Sequence, residues 1–375
     1  MNRAIKYRIY PNEEQNNKFV QTFGCCRKIW NLMLSDKIEY YNKTGKILNT
    51  TPAEYKTVYT FLKDVDSLAL ANVQLHLQQA YKNCFDKKRK KCTGFPKYKS
   101  YKHSKRAYTT NNQHGTISII DKKYIKLPKI GYVKAKIHRF PKSDWKLKSA
   151  TISQDRDGKF YVSILFEFDK ITEPVSNPNK IIGLDYKSDG LYMDSNGKVG
   201  TNHKYYRTLH KQLAKQQRKL SKKIGSRKNE VKSNNYLKQL KKVNKIFKHI
   251  TNQRKDNLHK ISTEIANQYD IVCVETLNMK SLANKGFGNG KATLDNGYGL
   301  FLNMLEYKLF ERGKYFIKVD KWYPSSKMCS NCGCIKELTL QDRVYKCECG
   351  LIIDRDLNAA INIKNEGLRL FLQTT

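Results

Sequence analysis

Acidic side chains are scarce in this sequence. Its 375 residues hold 33 Asp and Glu against 72 Lys and Arg, a formal net charge of +39. Such an imbalance excludes a chain whose charges neutralise one another, and it makes the protein repel itself unless it meets a polyanion. A membrane surface or a solvated basic face would use some of that charge. It runs through most of the sequence, however, which suits nucleic acid better. Long apolar runs are missing too. None reaches about 18 residues, so no transmembrane helix is expected. The opening "MNRAIKYRIYPNEEQ" has no apolar core of the secretory kind, so no export signal is expected and the chain is placed in the cytoplasm.

Ten cysteines are present, five of them between Cys329 and Cys349. In a cytoplasmic, nucleic-acid-type protein this clustering speaks for a metal site and against a disulfide framework. Cys329-x-x-Cys332 and Cys347-x-Cys349 supply two thiolate pairs joined by a short connector, and four thiolates suit tetrahedral Zn²⁺. The second pair is one residue tighter than the usual spacing, and Cys334 competes as a ligand. Cys84 and Cys273 lie in apolar patterns and read as core.

Periodicity divides the rest. "AIKYRIYP" alternates like a strand and stops at proline. Residues 13–42 turn helical, with Phe19, Phe23, Ile29, Trp30, Met33 and Leu34 on one face. A second helix carries Val73, Leu77, Ala80, Tyr81 and Cys84. Residues 85–108 then hold ten Lys and Arg with one carboxylate, interleaved with Phe95, Tyr98, Tyr101 and Tyr108. That mixture is what phosphate tracking and base stacking require, although a charge run alone is often a solvated face. Residues 116–168 read as short strands, the last two forming a hairpin around Asp157-Gly158. A compact β-barrel with inserted helices would account for residues 1–170, and the Pro- and Asn-rich "DKITEPVSNPNK" marks a domain boundary.

Beyond it, "KIIGLD" reads as a buried strand ending at Asp185, with a second strand before Asn196-Gly197. Residues 204–260 carry 19 Lys and Arg against Glu230 and Asp256 alone. Leu209, Leu213, Leu220 and Ile224 mark one helix, and Tyr236, Leu240, Val243, Phe247 and Ile250 another, as an antiparallel basic hairpin. "QYDIVCVET" is a buried strand ending near Glu275. Residues 281–299 lack a core pattern and read as a mobile loop. A helix capped by Gly313 and the strand "YFIKVD" follow.

Asp185 and Glu275 each sit at the end of a strongly apolar strand, where a carboxylate is costly unless solvated, hydrogen-bonded or bound to a cation. Asp354 and Asp356 precede a further helix. Acids converging at one sheet end could hold two divalent ions about 4 Å apart, and Mg²⁺ prefers such oxygen ligands.

"WYPSSKMCSNCG", "YKCECG" and "DRDLNAAINI" closely resemble the C-terminal region of TnpB proteins from bacterial insertion sequences. "IIGLD", "VCVETL", "LEYKLFERGK", "YRIYPNEEQ" and "GCCRKIWN" occur in that family's order, so the resemblance covers nearly the whole chain. It implies an α/β RNase H-like (RuvC) nuclease domain with an inserted zinc module, plus an N-terminal wedge β-barrel with a helical recognition insertion. The expected boundaries are 1–175, with the insertion at about 12–110, and 176–375, with the basic hairpin at 204–265 and the zinc module at 325–350. It further implies an RNA-guided DNA endonuclease encoded by a transposable element. Such an enzyme cleaves DNA beside a short flanking motif, with catalytic Mg²⁺ held by Asp185, Glu275 and Asp356. A structural Zn²⁺ would be held by Cys329, Cys332, Cys347 and Cys349, leaving Asp354 as a neighbour. Its partners would be one guide RNA per protein, derived from the transposon end, and double-stranded target DNA, with no membrane; in a prokaryotic cytoplasm it would meet the nucleoid when bound to DNA. Many relatives have glycine two positions after the first acid, where this chain has Lys187. Two other readings compete: a guided DNA-binding repressor with weak cleavage, and an unguided structure-specific RuvC-type nuclease. The intact acids oppose the first, and the large basic N-terminal half opposes the second.

Overall fold

The computed structural model describes residues 1–86, 94–169, 172–223, 233–284, 290–339 and 341–374. Its contacts divide the chain into two units, Met1–Lys170 and Ile171–Thr375.

The first unit opens with β1 (Asn2–Tyr10), whose Ile5, Tyr7 and Ile9 are buried on alternate positions as a half-buried strand requires. Asn12 then starts α1 (Glu13–Thr44) with a capping box: its side chain accepts from Gln15 N at 2.8 Å, and the Gln15 side chain accepts from Asn12 N at 3.2 Å. All six apolar residues anticipated on its face are buried. After the single turn α2 (Tyr55–Val58), α3 (Ser67–Phe85) is capped by Asp66 and buries Leu70, Val73 and Leu77. The strands β2 (Arg106–Asn111), β3 (Ser118–Ile120), β4 (Tyr124–Leu127), β5 (Gly131–Lys136), β6 (Lys146–Gln154) and β7 (Phe160–Glu167) join β1 in one antiparallel sheet. Its order is β2-β6-β7-β1-β5-β4-β3. Asp157-Gly158 forms the β6–β7 turn, with Gly158 at φ +86°. Helices and sheet share one core.

Two expectations change here. Among the described residues the ladder of the expected barrel is not closed, because β2 and β3 end it. The chain between them turns through Asn112, whose Oδ1 accepts from Ile117 N at 2.9 Å, and β3 is only three residues long. Tyr108, grouped with the stacking aromatics, instead points into the core against Phe23, ring centroids 5.7 Å apart. Phe95, Tyr98 and Tyr101 are exposed, and residues 87–93 of the basic run lie outside the described residues.

The second unit contains β8 (Ile181–Tyr186), β9 (Tyr192–Asp194), α4 (Tyr205–Ser221), α5 (Asn234–Gln268), β10 (Ile271–Glu275), α6 (Met279–Leu282), α7 (Gly290–Asn296), α8 (Tyr298–Phe310) and β11 (Tyr315–Val319). A small hairpin, β12 (Val344–Lys346) and β13 (Ile352–Asp354), precedes the last helix, α9 (Arg355–Thr374). The sheet order is β11-β10-β8-β9, with β8, β10 and β11 parallel and β9 antiparallel at the edge. Its central strands are covered on both faces, which is why they read as unbroken apolar runs. Ile182, Leu184, Val272 and Val274 pack with Leu258, Phe301 and Leu305; Cys273 packs on the other side with Ile363 and Phe371 of α9.

Residues 172–175 belong with this unit, since Val175 N donates to Gly313 O at 2.9 Å and the Tyr315 hydroxyl donates to Val175 O at 3.2 Å. In the basic hairpin Leu213, Val243 and Ile250 form the buried seam, and the Gln239 amide bonds Gln216 across it, while Phe247 stands outside, exposed. Ile224 lies outside the described residues. The expected loop at 281–299 is largely helical among its described residues, and Thr293, Asp295, Asn296 and Tyr298 in it are buried. Polar anchors hold it, which no hydrophobic period reveals: Asp295 accepts from Tyr206 N at 3.0 Å, and Asn296 donates to Lys187 O and Ser188 O at 3.1 Å each. Among the described residues no helix is long and apolar enough to cross a membrane.

Candidate active site and cysteine cluster

Register places two acids side by side. In the parallel pair β8–β10, Leu184 is matched with Val274, so Asp185 and Glu275 are the next residues on neighbouring strands, which run about 4.8 Å apart. Alternation sends both to the face that carries Gly183 and Cys273, the face covered by α9.

What lets α9 come down on that face is the lack of side chains beneath it. A Cβ on Gly183 would lie 2.2 Å from the Ala360 carbonyl oxygen, and one on Gly367 would lie 2.2 Å from Cys273 Sγ. The helix therefore rests with backbone almost on backbone at β8. Asp356, four residues before Ala360, is carried about 6 Å back along the helix axis, toward the strand ends that bear the other two acids. Asp354 does not join them: its Oδ1 caps α9, accepting from Asp356 N at 2.8 Å and Leu357 N at 3.0 Å.

Asp185 feels the other two acids. Burial, then the charges of Glu275 and Asp356, push the Asp185 carboxyl well above its ordinary range. Burial pushes Glu275 up to about 7. Lys187, two residues after Asp185, forms an ion pair with Asp356 Oδ2. Tyr298 lies near this cluster, fully buried, its ring 5.0 Å from that of Tyr186 and its hydroxyl without a hydrogen-bond partner among the described residues. Burial, and then the charges of Asp185 and Glu275, push its hydroxyl well above its ordinary pKa.

The cysteines assemble next to the same helix. The sulfurs of Cys329, Cys332, Cys347 and Cys349 all lie within 4.8 Å of one another, the closest pairs being Cys329–Cys349 at 3.6 Å and Cys332–Cys347 at 3.5 Å. A tetrahedron with metal–sulfur bonds of about 2.3 Å has edges of about 3.8 Å, so this set could hold a zinc ion. Cys334 stands outside the set and is exposed. Two buried asparagines, one turn apart on α9, tie the cluster to the acid-bearing helix. Asn358 accepts from Ser330 N at 3.0 Å and donates to Met328 O at 2.7 Å; Asn362 donates to Ser325 O at 2.8 Å and Met328 O at 2.6 Å. Sequence reasoning gave neither residue a role. The signal was there, as two asparagines four apart on the apolar stripe of a helix.

A separate feature lies in the first unit. A cleft of about 430 Å³ is lined by Arg27, Asn72, His76, Lys99 and Lys105, among others. The basic segment beside it is pinned to α1: Asn31 exchanges two hydrogen bonds with the Lys99 backbone, at 2.9 and 2.8 Å, and Trp30 Nε1 donates to Lys97 O at 3.0 Å. Lys99 sits 3.5 Å above the Trp30 ring, and Arg27 and Arg106 flank the exposed Tyr101.

Comparison with known proteins follows the same division. A family model described as a helix-turn-helix domain matches residues 1–46, although those residues form a strand and one long helix. A "Probable transposase" model matches residues 162–285, and a "Cas12f1-like, TNB domain" model matches residues 298–363. The structure is similar in fold to the protein of a cryo-EM Cas12f1–sgRNA–target DNA complex, with a TM-score of 0.56 at 16% identity, covering 97% of this chain and 99% of that one. A Streptomyces pristinaespiralis protein named "Putative RNA-guided DNA endonuclease" is 32% identical over 98% of this chain and 89% of its own length. "Putative RNA-guided DNA endonuclease InsQ" of Escherichia coli K12 is 28% identical over 97% of this chain and 92% of its own. A "TnpB-like protein" of Acanthamoeba polyphaga mimivirus is 36% identical over 35% of this chain and 27% of its own. With nearly its full length shared at this level, and the cysteine cluster and its helix falling within the matched C-terminal region, the chain belongs to the TnpB family.

Proposed function

We propose that this protein is the RNA-guided DNA endonuclease of a transposable element, with Asp185, Glu275 and Asp356 as its catalytic acids. The observation that carries the reading is the convergence of three carboxylates from β8, β10 and α9 at one sheet end, in a chain of net charge +39. The strand order of the second unit, with its parallel centre and antiparallel edge, supports an RNase H-like (RuvC) fold.

The donor set fits divalent magnesium. It is all oxygen, and mutual repulsion among its acids is what a bound dication would relieve. Magnesium, when bound, supplies Lewis acidity to phosphate oxygens and a nucleophilic water at neutral pH. The chain's part is to hold the acids: the strand register fixes Asp185 and Glu275, and the close seating of α9 fixes Asp356. The caps and anchors around Asp354 and Asn296 keep the flanking backbone from shifting as charge enters. A zinc ion on Cys329, Cys332, Cys347 and Cys349 would stabilise the segment before α9 without touching the reaction.

The first unit and the basic hairpin would hold the polyanions, a guide RNA from the transposon end and double-stranded target DNA. Base pairing would read most of the target, and the cleft beside Lys99 would read the short flanking motif. Asp185→Ala should abolish magnesium-dependent cleavage of matched DNA while guide RNA still co-purifies. Cleavage retained in that variant would remove Asp185 from the catalytic set. A preparation that carries no discrete RNA yet cuts branched DNA would replace the guided reading with the unguided nuclease.

A further inference from the structure

Two residues after the first acid stands a lysine, and the structure defines its partners. The Lys187 ammonium is paired with Asp356 Oδ2, and the two side chains are about one-fifth exposed, at 20% and 23%. The lysine is held there by its surroundings. Its carbonyl and that of Ser188 accept from the buried Asn296 amide at 3.1 Å each, and its N–H lies 3.5 Å from Leu191 O. Its aliphatic stem runs over Gly190, where a Cβ would lie 3.6 Å from Lys187 Cδ. Asp189 and Asp354 are its other electrostatic neighbours. A monovalent cation is thus anchored on the one acid of the three that comes from α9.

We propose that Lys187 is a built-in counter-cation that competes with divalent metal for Asp356 and so sets the metal affinity of the acid cluster. The inference rests on the functional reading given above. An ammonium on Asp356 Oδ2 repels an incoming dication and draws on the same carboxylate charge, so metal loading is weakened unless the Lys187 side chain swings away. The anchored backbone lets it do so about its own χ angles, without moving Asp185. Lys187 then acts as a positioning residue: it keeps the cluster compensated without metal and raises the concentration of metal needed for cleavage.

The test is Mn²⁺ binding to the full-length, zinc-loaded protein without nucleic acid, followed by the electron paramagnetic resonance of free Mn²⁺. Lys187→Gln should bind Mn²⁺ about three- to tenfold more tightly, the range expected on removing one partly buried competing charge. Lys187→Arg, which keeps the cation, should stay within about twofold of the parent, since Arg forms the same ion pair. In the background of Asp356→Asn the Lys187→Gln effect should vanish, because the two side chains act on one another. Equal or weaker binding in Lys187→Gln, in a protein with unchanged circular dichroism and zinc content, would overturn the inference alone. If neither Asp185→Ala nor Asp356→Ala reduced Mn²⁺ binding, the functional reading would fall and this inference with it.

Discussion

Replacing Glu275 by glutamine should make the magnesium-free protein more stable at neutral pH while destroying its capacity to cut. Burial raises the Glu275 carboxyl from its ordinary 4.5 to about 7. The folded state therefore holds this proton more tightly than the unfolded chain does. Stability from this group is fully present below about pH 4.5 and is lost as pH rises toward 7. The span is roughly two and a half pH units at about 1.4 kcal/mol each, so ionisation weakens the second unit by about 3 kcal/mol as an upper figure. Asp185, pushed up by burial and by the same neighbour, steepens the decline. Glutamine keeps the shape and cannot ionise. The assay is calorimetric unfolding in buffer free of magnesium, with zinc retained, from pH 5 to pH 8. The parent should lose stability across that range, and Glu275→Gln should lose markedly less. Added Mg²⁺ should stabilise the parent and leave the variant almost unmoved. Parallel pH profiles in the two proteins would refute the argument that burying the Glu275 carboxylate strains this end of the sheet.

Cys329→Ser and Cys347→Ser should each lower the zinc content and the melting temperature; unchanged stoichiometry by metal analysis would break the four-sulfur assignment. Gly183→Ala should cost about 3 kcal/mol or more, the upper end for overpacking, since its Cβ would collide with the Ala360 carbonyl. Its DNA cleavage should disappear, and an unaltered melting curve would contradict the close seating of α9. Asn362→Ala takes from the Ser325 carbonyl the side-chain amide that donates to it and should cost about 1–3 kcal/mol. Faster hydrogen exchange across residues 325–350 would report it, and unchanged protection there would argue that Asn358 alone ties the cluster to α9.

Legibility in the sequence followed locality. The alternation of Ile5, Tyr7 and Ile9, the stripe of α1 and the turn at Asp157-Gly158 are set by neighbours in the chain, so period and composition reveal them. The ends of β8 and β10 were legible for the same reason: an acid closing an apolar run is a local contrast. Their adjacency is not local, because it depends on which strands pair and in what register. Tyr108 shows the converse error. It sits in a basic, aromatic stretch, yet its place on β2 turns it inward to Phe23. The described part of residues 281–299 reads as a loop because Asp295 and Asn296 secure it by hydrogen bonds to distant backbone, and polar anchoring leaves no hydrophobic pattern. Gly183 passed unremarked because a glycine in a strand says nothing of what lies above it until the helix is placed.

The crowding of carboxylates at the sheet end also bears on how such a protein changes over generations. A shape-keeping substitution that removes the charge of Asp185 or Glu275 relieves the cost of burying it, so a chain that loses its capacity to cut in this way is no harder to fold and is easier to keep folded. The first unit, with its own core, is untouched by that loss. Decay toward a guided binder that does not cut thus runs downhill in folding free energy, as expected where active sites are held against stability. Only selection for cleavage itself keeps the three acids in one chain.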